Sequence, residues 1–149
     1  MNQAATTAAA GQPAGIVKSN PNLFYVDGEV PGGAGLKGTH CADCGRKSLL
    51  AVPVCHYCGG RRVEAVCIGR RARLVRFSVV EHPADGFAAP YVIGEIATDE
   101  GPTTYAPILR NDGEELHEGQ RVRFTLLHRE NEPVRFAFAP EGGGADAGR

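Results

Sequence analysis

Two Cys-x-x-Cys pairs, separated by ten residues, constrain this chain more than any other part of its sequence. The four cysteines are Cys41, Cys44, Cys55 and Cys58. Each pair is followed by a glycine, Gly45 or Gly59, which suits a tight turn that requires a positive φ. Thiolate sulfur prefers soft or borderline cations, and four thiolates complete the tetrahedral shell of Zn²⁺. The spacing therefore predicts a rubredoxin-like zinc ribbon in which these four cysteines are the metal ligands.

Disulfides are the first alternative for these cysteines. The first residues of the chain lack the basic and apolar stretches of a secretory signal. We therefore expect a cytoplasmic protein with reduced thiols, and one metal ion per chain. A shell closed by four thiolates leaves no position for an activated water, so the zinc should be structural. An iron centre of the rubredoxin type is the alternative to zinc.

Two details of the ribbon can also be predicted. Residues 45–54 are long enough for a short hairpin that holds Val52 and Val54 against the metal. Neither of the histidines beside the ligands, His40 and His56, is needed once four thiolates fill the shell. Cys67 has no second cysteine nearby in the sequence, and we interpret it as a half-buried thiol in a strand.

Composition divides the chain into four parts. We expect residues 1–35 to be a flexible N-terminal segment that carries a short apolar anchor at residues 23–26. The zinc ribbon should follow at 36–67, then a β-barrel at 68–140 and a disordered Gly/Ala-rich tail at 141–149. The longest apolar runs are far below the ~20 residues of a membrane span, so we expect no membrane association.

The part from residue 68 to 140 alternates apolar and polar residues in the manner of β-strands. Five strands are predicted, at 72–81, 91–97, 103–109, 121–127 and 134–138. In the first strand Val75, Phe77 and Val79 should share one face, and the second is apolar enough to be covered on both faces. A single helical turn is expected at 114–117. Five short strands with a longer crossing in the middle favour a Greek-key barrel of the OB type, and the fold class is therefore mainly β.

Charge argues against the nucleic-acid binding that ribbons and OB barrels often perform. The ribbon segment has a net charge of +3, but residues 68–140 hold nine Arg against eleven Asp and Glu, a net of −2. Barrels that bind single strands combine a positive groove with several exposed aromatic rings. Here the phenylalanines occupy alternating positions and Tyr105 is the lone candidate platform. Single-stranded nucleic-acid binding is therefore kept as the alternative function.

Four stretches of the sequence resemble one family, the Zn-ribbon/OB-fold acyl-CoA-associated proteins. The stretches are Leu-Lys-Gly-Thr-His-Cys-Ala-Asp-Cys-Gly at 36–45, Arg-Leu-Val-Arg-Phe-Ser-Val-Val at 73–80, Pro-Tyr-Val-Ile-Gly-Glu-Ile at 90–96 and Gly-Gln-Arg-Val-Arg-Phe at 119–124. The chain departs from the family at 51–54, where Ala-Val-Pro-Val replaces a common Pro-Pro-Arg, and at His56, where proline is usual. The family's usual N-terminal helix is also replaced by residues 23–26 and a glycine-rich linker.

The resemblance implies an accessory subunit without catalysis of its own. Relatives accompany thiolase-type enzymes, hydratases or aldolases that act on CoA thioesters, and the large partner supplies the catalytic residues. The short chain resembles the small subunits of thiolases in aromatic-compound degradation, including that of benzoylsuccinyl-CoA thiolase. The expected partner is thus a thiolase-like catalytic subunit in a hetero-oligomer, with acyl-CoA at or near the interface.

Candidate contacts follow from this reading. The basic run at the ribbon–barrel junction could meet CoA phosphates or a partner, although a solvated strand face is the alternative. Its residues are Arg70, Arg71 and Arg73. The candidate partner anchors, for which ordinary core packing is the alternative, are Phe24, Tyr25, Phe87 and Tyr91. The sequence contains no Gly-x-Ser-x-Gly motif and no phosphate loop, and solvated histidines are the default interpretation of His82, His117 and His128.

Overall fold

The computed structural model describes residues 18–82, 90–110 and 114–141. Predictions for the N-terminal tail before Lys18, for Phe87 and for the tail after Glu141 lie outside the described residues. Within these ranges the chain forms nine strands and no helix. The strands are β1 Phe24–Tyr25, β2 Gly35–Cys41, β3 Lys47–Leu49, β4 Val63–Ile68, β5 Arg71–Val80, β6 Tyr91–Thr98, β7 Thr103–Ile108, β8 Arg121–Leu127 and β9 Arg135–Pro140. A helix long and apolar enough to cross a membrane is not found in the described ranges.

The chain divides into two compact units of similar length, each made of two separate segments. The first contains Met1–Cys67 and Leu126–Arg135, and the second contains Ile68–Thr125 and Phe136–Arg149. The segment Leu126–Arg135, which runs from the end of β8 to the start of β9, is grouped with the first unit. There Lys18 forms a parallel bridge with Val134, and the N–H of Ser19 donates to the carbonyl of Val134.

The sheet of the first unit is built around β2. This strand pairs with β1, β3 and β4, and the first two pairings are antiparallel. Phe24 lies opposite Leu36, and its side chain is 0% exposed. The apolar anchor therefore buries Phe24 and Val26 within its own unit.

The hairpin predicted for residues 45–54 was wrong in its position. The observed hairpin pairs β2 with β3, so its first strand ends at Cys41, before the predicted segment begins. Residues 51 and 52 are not in a strand, because the side chain of Thr39 fixes their path. The hydroxyl of Thr39 donates to the carbonyl of Leu50 and accepts from the N–H of Val52, at 2.7 and 3.0 Å.

An ion pair inside the first unit holds the segment before β2. The ammonium of Lys18 donates to both carboxylate oxygens of Glu29 and to the carbonyl of Phe24. Glu29 in turn accepts from the N–H of Val26 at 2.6 Å. Both charged groups thus have hydrogen-bond partners, which a buried pair requires.

The second unit is a closed barrel with strand order β5-β6-β7-β9-β8. The pairs β5–β6, β6–β7 and β5–β8 are antiparallel, and β7 meets β9 in parallel where Ile108 lies opposite Phe138. This arrangement is the predicted five-stranded OB barrel, so the fold class is confirmed. Side chains buried within the barrel include Ala72, Leu74, Val92, Ile96, Ala106, Ile108, Val122, Ala137 and Phe138.

A β-bulge corrects the predicted face of β5. Pairing with β6 shifts register between Leu74 and Arg76, which makes Val75 the extra residue. Phe77 therefore lies opposite Gly94 and continues the face of Leu74, without Val75. The prediction that Val75, Phe77 and Val79 share one face was wrong, because the alternation of apolar and polar residues does not reveal an inserted residue.

Three smaller predictions also need correction. Strand β6 is buried on one face and half-exposed on the other, so it is not covered on both. Residues 114–117 contain no helical turn; the N–H of His117 donates to the side chain of Gln120, and Gln120 closes a turn back to His117. In β9 both Ala137 and Phe138 are buried, which breaks the strict alternation expected there.

Candidate metal centre

Each Cys-x-x-Cys pair folds into the same tight turn. In the first, the N–H of Cys41 donates to Arg46, and the N–H of Gly45 donates back to the carbonyl of Cys41 at 2.8 Å. In the second, the N–H of Gly59 donates to the carbonyl of Cys55 at 3.1 Å, and the N–H of Cys55 donates to Gly60. The two cysteine pairs therefore lie in turns with the same backbone hydrogen-bond pattern.

The glycines that follow the pairs occupy the conformation that the sequence predicted. Gly45 has φ +79° and Gly59 has φ +76°. A side chain strains this left-handed region, whereas glycine adopts it freely. The Cys-x-x-Cys-Gly pattern thus specifies the turn as well as the donors.

The four thiols converge into one cluster. Their sulfur atoms all lie within 4.8 Å of one another, and the Sγ atoms of Cys41 and Cys58, like those of Cys44 and Cys55, are 3.6 Å apart. A tetrahedral shell with Zn–S bonds of ~2.3 Å has sulfur–sulfur edges of about 3.8 Å. The donor set therefore fits a single four-coordinate metal ion. Cys41 and Cys55 are buried, whereas Cys44 and Cys58 are exposed.

The surroundings of the sulfurs shift the thiol pKa values in opposite directions at Cys55 and Cys58. The N–H groups of Cys58 and Tyr57 lower the pKa of the Cys55 thiol to about 7. The N–H of Gly60 acts to lower the pKa of Cys58, but its neighbouring thiols and desolvation together raise that pKa to about 12. Several thiolates this close repel one another, and a bound cation removes that repulsion.

A polar bridge joins the two turns. The carboxylate of Asp43, within the first turn, accepts from the guanidinium of Arg62, which follows the second turn, at 2.6 and 2.7 Å. The N–H of Ala42 donates to the carbonyl of Arg62 at 2.8 Å. The guanidinium of Arg46 also lies over the ring of Tyr57, 4.9 Å from its centroid. These contacts hold the two cysteine pairs in register.

The other residues considered near the site behave as the sequence indicated. The cluster of potential ligands comprises the four cysteines and neither His40 nor His56. Cys67 is half-buried in β4, as predicted, and its thiol lies 3.9 Å from the carbonyl oxygen of Gly33.

The candidate contact residues take different positions. Arg71 and Arg73 are exposed in β5, and Arg70, just before the strand, is half-buried. Tyr25 and Tyr91 are half-buried, each within a strand, and the ammonium of Lys37 lies 5.0 Å from the centroid of the Tyr25 ring.

Two further arginines that are distant in the sequence lie beside the basic run in the structure. Arg123 lies opposite Arg71, and Arg121 lies opposite Arg73, because β8 pairs with β5. Both Arg121 and Arg123 are exposed in β8. Their position beside Arg71 and Arg73 could be predicted only if the pairing of β5 with β8 were known.

Comparison with known proteins agrees with the barrel. Residues 65–127 match the family model described as "ChsH2, C-terminal OB-fold domain". Among solved structures, the chain is similar to one described as "Ltp2-ChsH2(DUF35) aldolase", with 22% identity over 72% of this chain and 85% of that chain, and a TM-score of 0.58. A protein of unknown function from the DUF35 family of Sulfolobus solfataricus has 20% identity over 70% of this chain and 75% of that chain, with a TM-score of 0.47. No curated protein matches the sequence. The OB-fold match supports the family resemblance seen in the sequence.

Proposed function

We propose that this chain is a non-catalytic accessory subunit that binds a thiolase-like enzyme and supports thiolytic cleavage or condensation of a 3-oxoacyl-CoA. The observation that carries the proposal is the match of residues 65–127 to the OB-fold domain of ChsH2, directly after a four-cysteine cluster. The description of the similar solved structure, an aldolase, names ChsH2 together with a second component, Ltp2. We infer that this chain also works beside a second component.

The four cysteines hold a structural Zn²⁺ in this proposal. Four thiolates saturate a tetrahedral ion, so the metal supplies folding free energy and no substrate chemistry. For structural zinc this contribution is on the order of 10 kcal/mol. The ion would hold together the turns of the two cysteine pairs, the first of which begins at the end of β2. This would stabilise the first unit, whose strands are short.

The partner and the acyl-CoA would meet the exposed surface of the chain. Arg70, Arg71 and Arg73 are the proposed contacts for CoA phosphates or for the partner. Tyr25, Tyr91 and Phe87 are the proposed partner anchors. Phe24, the fourth candidate, is buried within its own unit, which favours the alternative of core packing for that residue. A thiolase of aromatic-compound degradation, such as one acting on a benzylsuccinate-derived thioester, is the first candidate complex.

Co-expression tests the proposal. The chain is produced with the thiolase-like protein of its host, and the product is examined by size-exclusion chromatography with light scattering. We expect a stable heteromer and 3-oxoacyl-CoA thiolysis that falls when the small chain is omitted. If the two proteins separate and the large one is fully active alone, the proposal is wrong.

A further inference from the structure

Four exposed arginines lie together on the outer wall of the barrel. They form two directly opposed cross-strand pairs, Arg71 with Arg123 and Arg73 with Arg121. Between them Ala72 and Val122, also opposite each other, are buried, so the four side chains project to the outside. We call these four residues the arginine surface.

The charge of the arginine surface is only partly balanced within the chain. Arg121 donates to Asp99 at 2.8 Å, and Arg71 lies 3.7 Å from Glu141. These two carboxylates face four guanidinium groups and leave a local charge of +2. Like charges placed directly opposite each other destabilise a sheet. A barrel segment with net −2 nevertheless gathers four of its nine arginines here.

An exposed aromatic side chain extends the same wall. Arg73 lies opposite Ala97 in β6, and Ala97 lies opposite Thr103 in β7. Tyr105 is two residues further along β7, on the face of Thr103, and is 65% exposed. The small side chains of Ala97 and Thr103 separate it from the arginines. Arginine and tyrosine, together with tryptophan, are enriched at the energetic centres of protein interfaces.

We propose that the arginine surface, with Tyr105 at its margin, docks an acidic surface of the thiolase-like partner. This inference rests on the proposed function and deepens it by assigning the docking face. The occupant is a protein because the arginines stand on the outside of a closed barrel, whereas small-molecule sites are concave and largely apolar. Nucleic acid is disfavoured because single-strand binding needs several stacking rings, whereas Glu95 lies directly opposite Tyr105 and Ala97 and Thr103 lie between Tyr105 and the arginines.

The docking face is tested by charge reversal. The double variant Arg73→Glu/Arg123→Glu places a glutamate opposite each remaining arginine, so the barrel should remain folded and melt at the same or a higher temperature. Arg129→Glu is the matched control, since Arg129 is an exposed arginine of the other unit, 3.9 Å from Glu132. Tyr105→Ala tests the margin. The affinity of each purified chain for the thiolase-like subunit is measured by biolayer interferometry at two salt concentrations.

We expect the double variant to raise Kd about tenfold or more at ~0.1 M NaCl, with a weaker salt dependence than the wild type. Arg129→Glu should stay within about twofold of the wild type, and Tyr105→Ala should weaken binding at both salt concentrations. If the double variant binds the partner as the wild type does, the docking face is wrong although the proposed function stands. If the wild-type chain forms no complex, both are wrong. A wild-type chain that binds a single-stranded oligonucleotide through these arginines, with partner binding unaffected by the double variant, would make nucleic acid the occupant and overturn the inference.

Discussion

The ammonium of Lys18 lies 2.9 Å from Oε2 of Glu29, and the side chains of these two residues are 1% and 6% exposed. A buried ion pair is stable when its remaining hydrogen-bond positions are filled. Here the carbonyl of Phe24 and the N–H of Val26 fill them. The pair thereby connects the beginning of the described chain to β1 and to the turn before β2.

Removal of one member of this pair should strongly destabilise the first unit. We expect Lys18→Met to lower the free energy of unfolding by about 3–5 kcal/mol, because Glu29 would remain buried and without its cation. The double variant Lys18→Met/Glu29→Gln should recover part of that loss. Urea unfolding of both variants measures the difference. A single variant that loses less than about 1 kcal/mol would contradict the assigned role of the pair.

The cysteine cluster should contain one zinc ion per chain and stabilise the fold. Cys41→Ser or Cys58→Ser should lose the metal and give an insoluble or protease-sensitive chain. Cys67→Ser is the control, since Cys67 lies outside the cluster and should keep both metal content and melting temperature. Elemental analysis and limited proteolysis provide the measurements. Unchanged melting of the ligand variants, or strong visible absorbance from iron, would contradict a structural zinc site.

Asp99 gives the barrel a small dependence of stability on pH. Its hydrogen bond with Arg121 lowers the pKa of Asp99, so the folded state favours the ionised carboxylate. The stabilisation is therefore present above the unfolded pKa of about 4 and is lost as pH falls through the lower, folded value. Because the pair is exposed, the contribution should be below about 1 kcal/mol.

Asp99→Asn provides the test of this dependence. Urea unfolding at neutral and acidic pH should show a smaller loss of stability on acidification than in the wild type. An identical loss in the variant and the wild type would show that the pair does not contribute.

Gly94 should tolerate no side chain. A Cβ at this position would lie 2.7 Å from Cδ1 of Leu74 and 2.8 Å from Cγ1 of Ile108, both of which are buried. Overpacking of this kind costs about 1–3 kcal/mol, so Gly94→Ala should lower the urea midpoint clearly. Gly60→Ala is the comparison, because its Cβ would meet the partly exposed side chain of Asp43 and no core residue. That variant should lose only the exposed Asp43–Arg62 bridge, which would lower the free energy of unfolding by less than about 1 kcal/mol. Equal losses in both variants would contradict the assigned difference.

Much of the fold could be read from the sequence because its determinants are local. The Cys-x-x-Cys-Gly pattern specifies both donors and turns, and the alternation in residues 121–127 defines β8 to the residue. Determinants that act between distant residues were missed. The bulge at Val75 depends on pairing with β6, and the hairpin of β2 with β3 depends on a hydroxyl at Thr39 bonding across the loop.

The same limit applies to the candidate sites. The metal donors and the run from Arg70 to Arg73 could be predicted from the sequence, because the residues of each motif lie close together in the chain. Arg121 and Arg123 lie about fifty residues away, and only the β5–β8 pairing brings them beside Arg71 and Arg73.

The grouping of Leu126–Arg135 with the first unit has a consequence for how this protein can be made and divided. Val134, the β-bridge partner of Lys18, is synthesised after most of the barrel sequence, so the first unit cannot be completed until most of the barrel has been made. A metal-loaded N-terminal fragment that stops at Cys67 would lack this late contribution. Excision of the barrel by cutting the chain at one point would likewise leave neither unit whole.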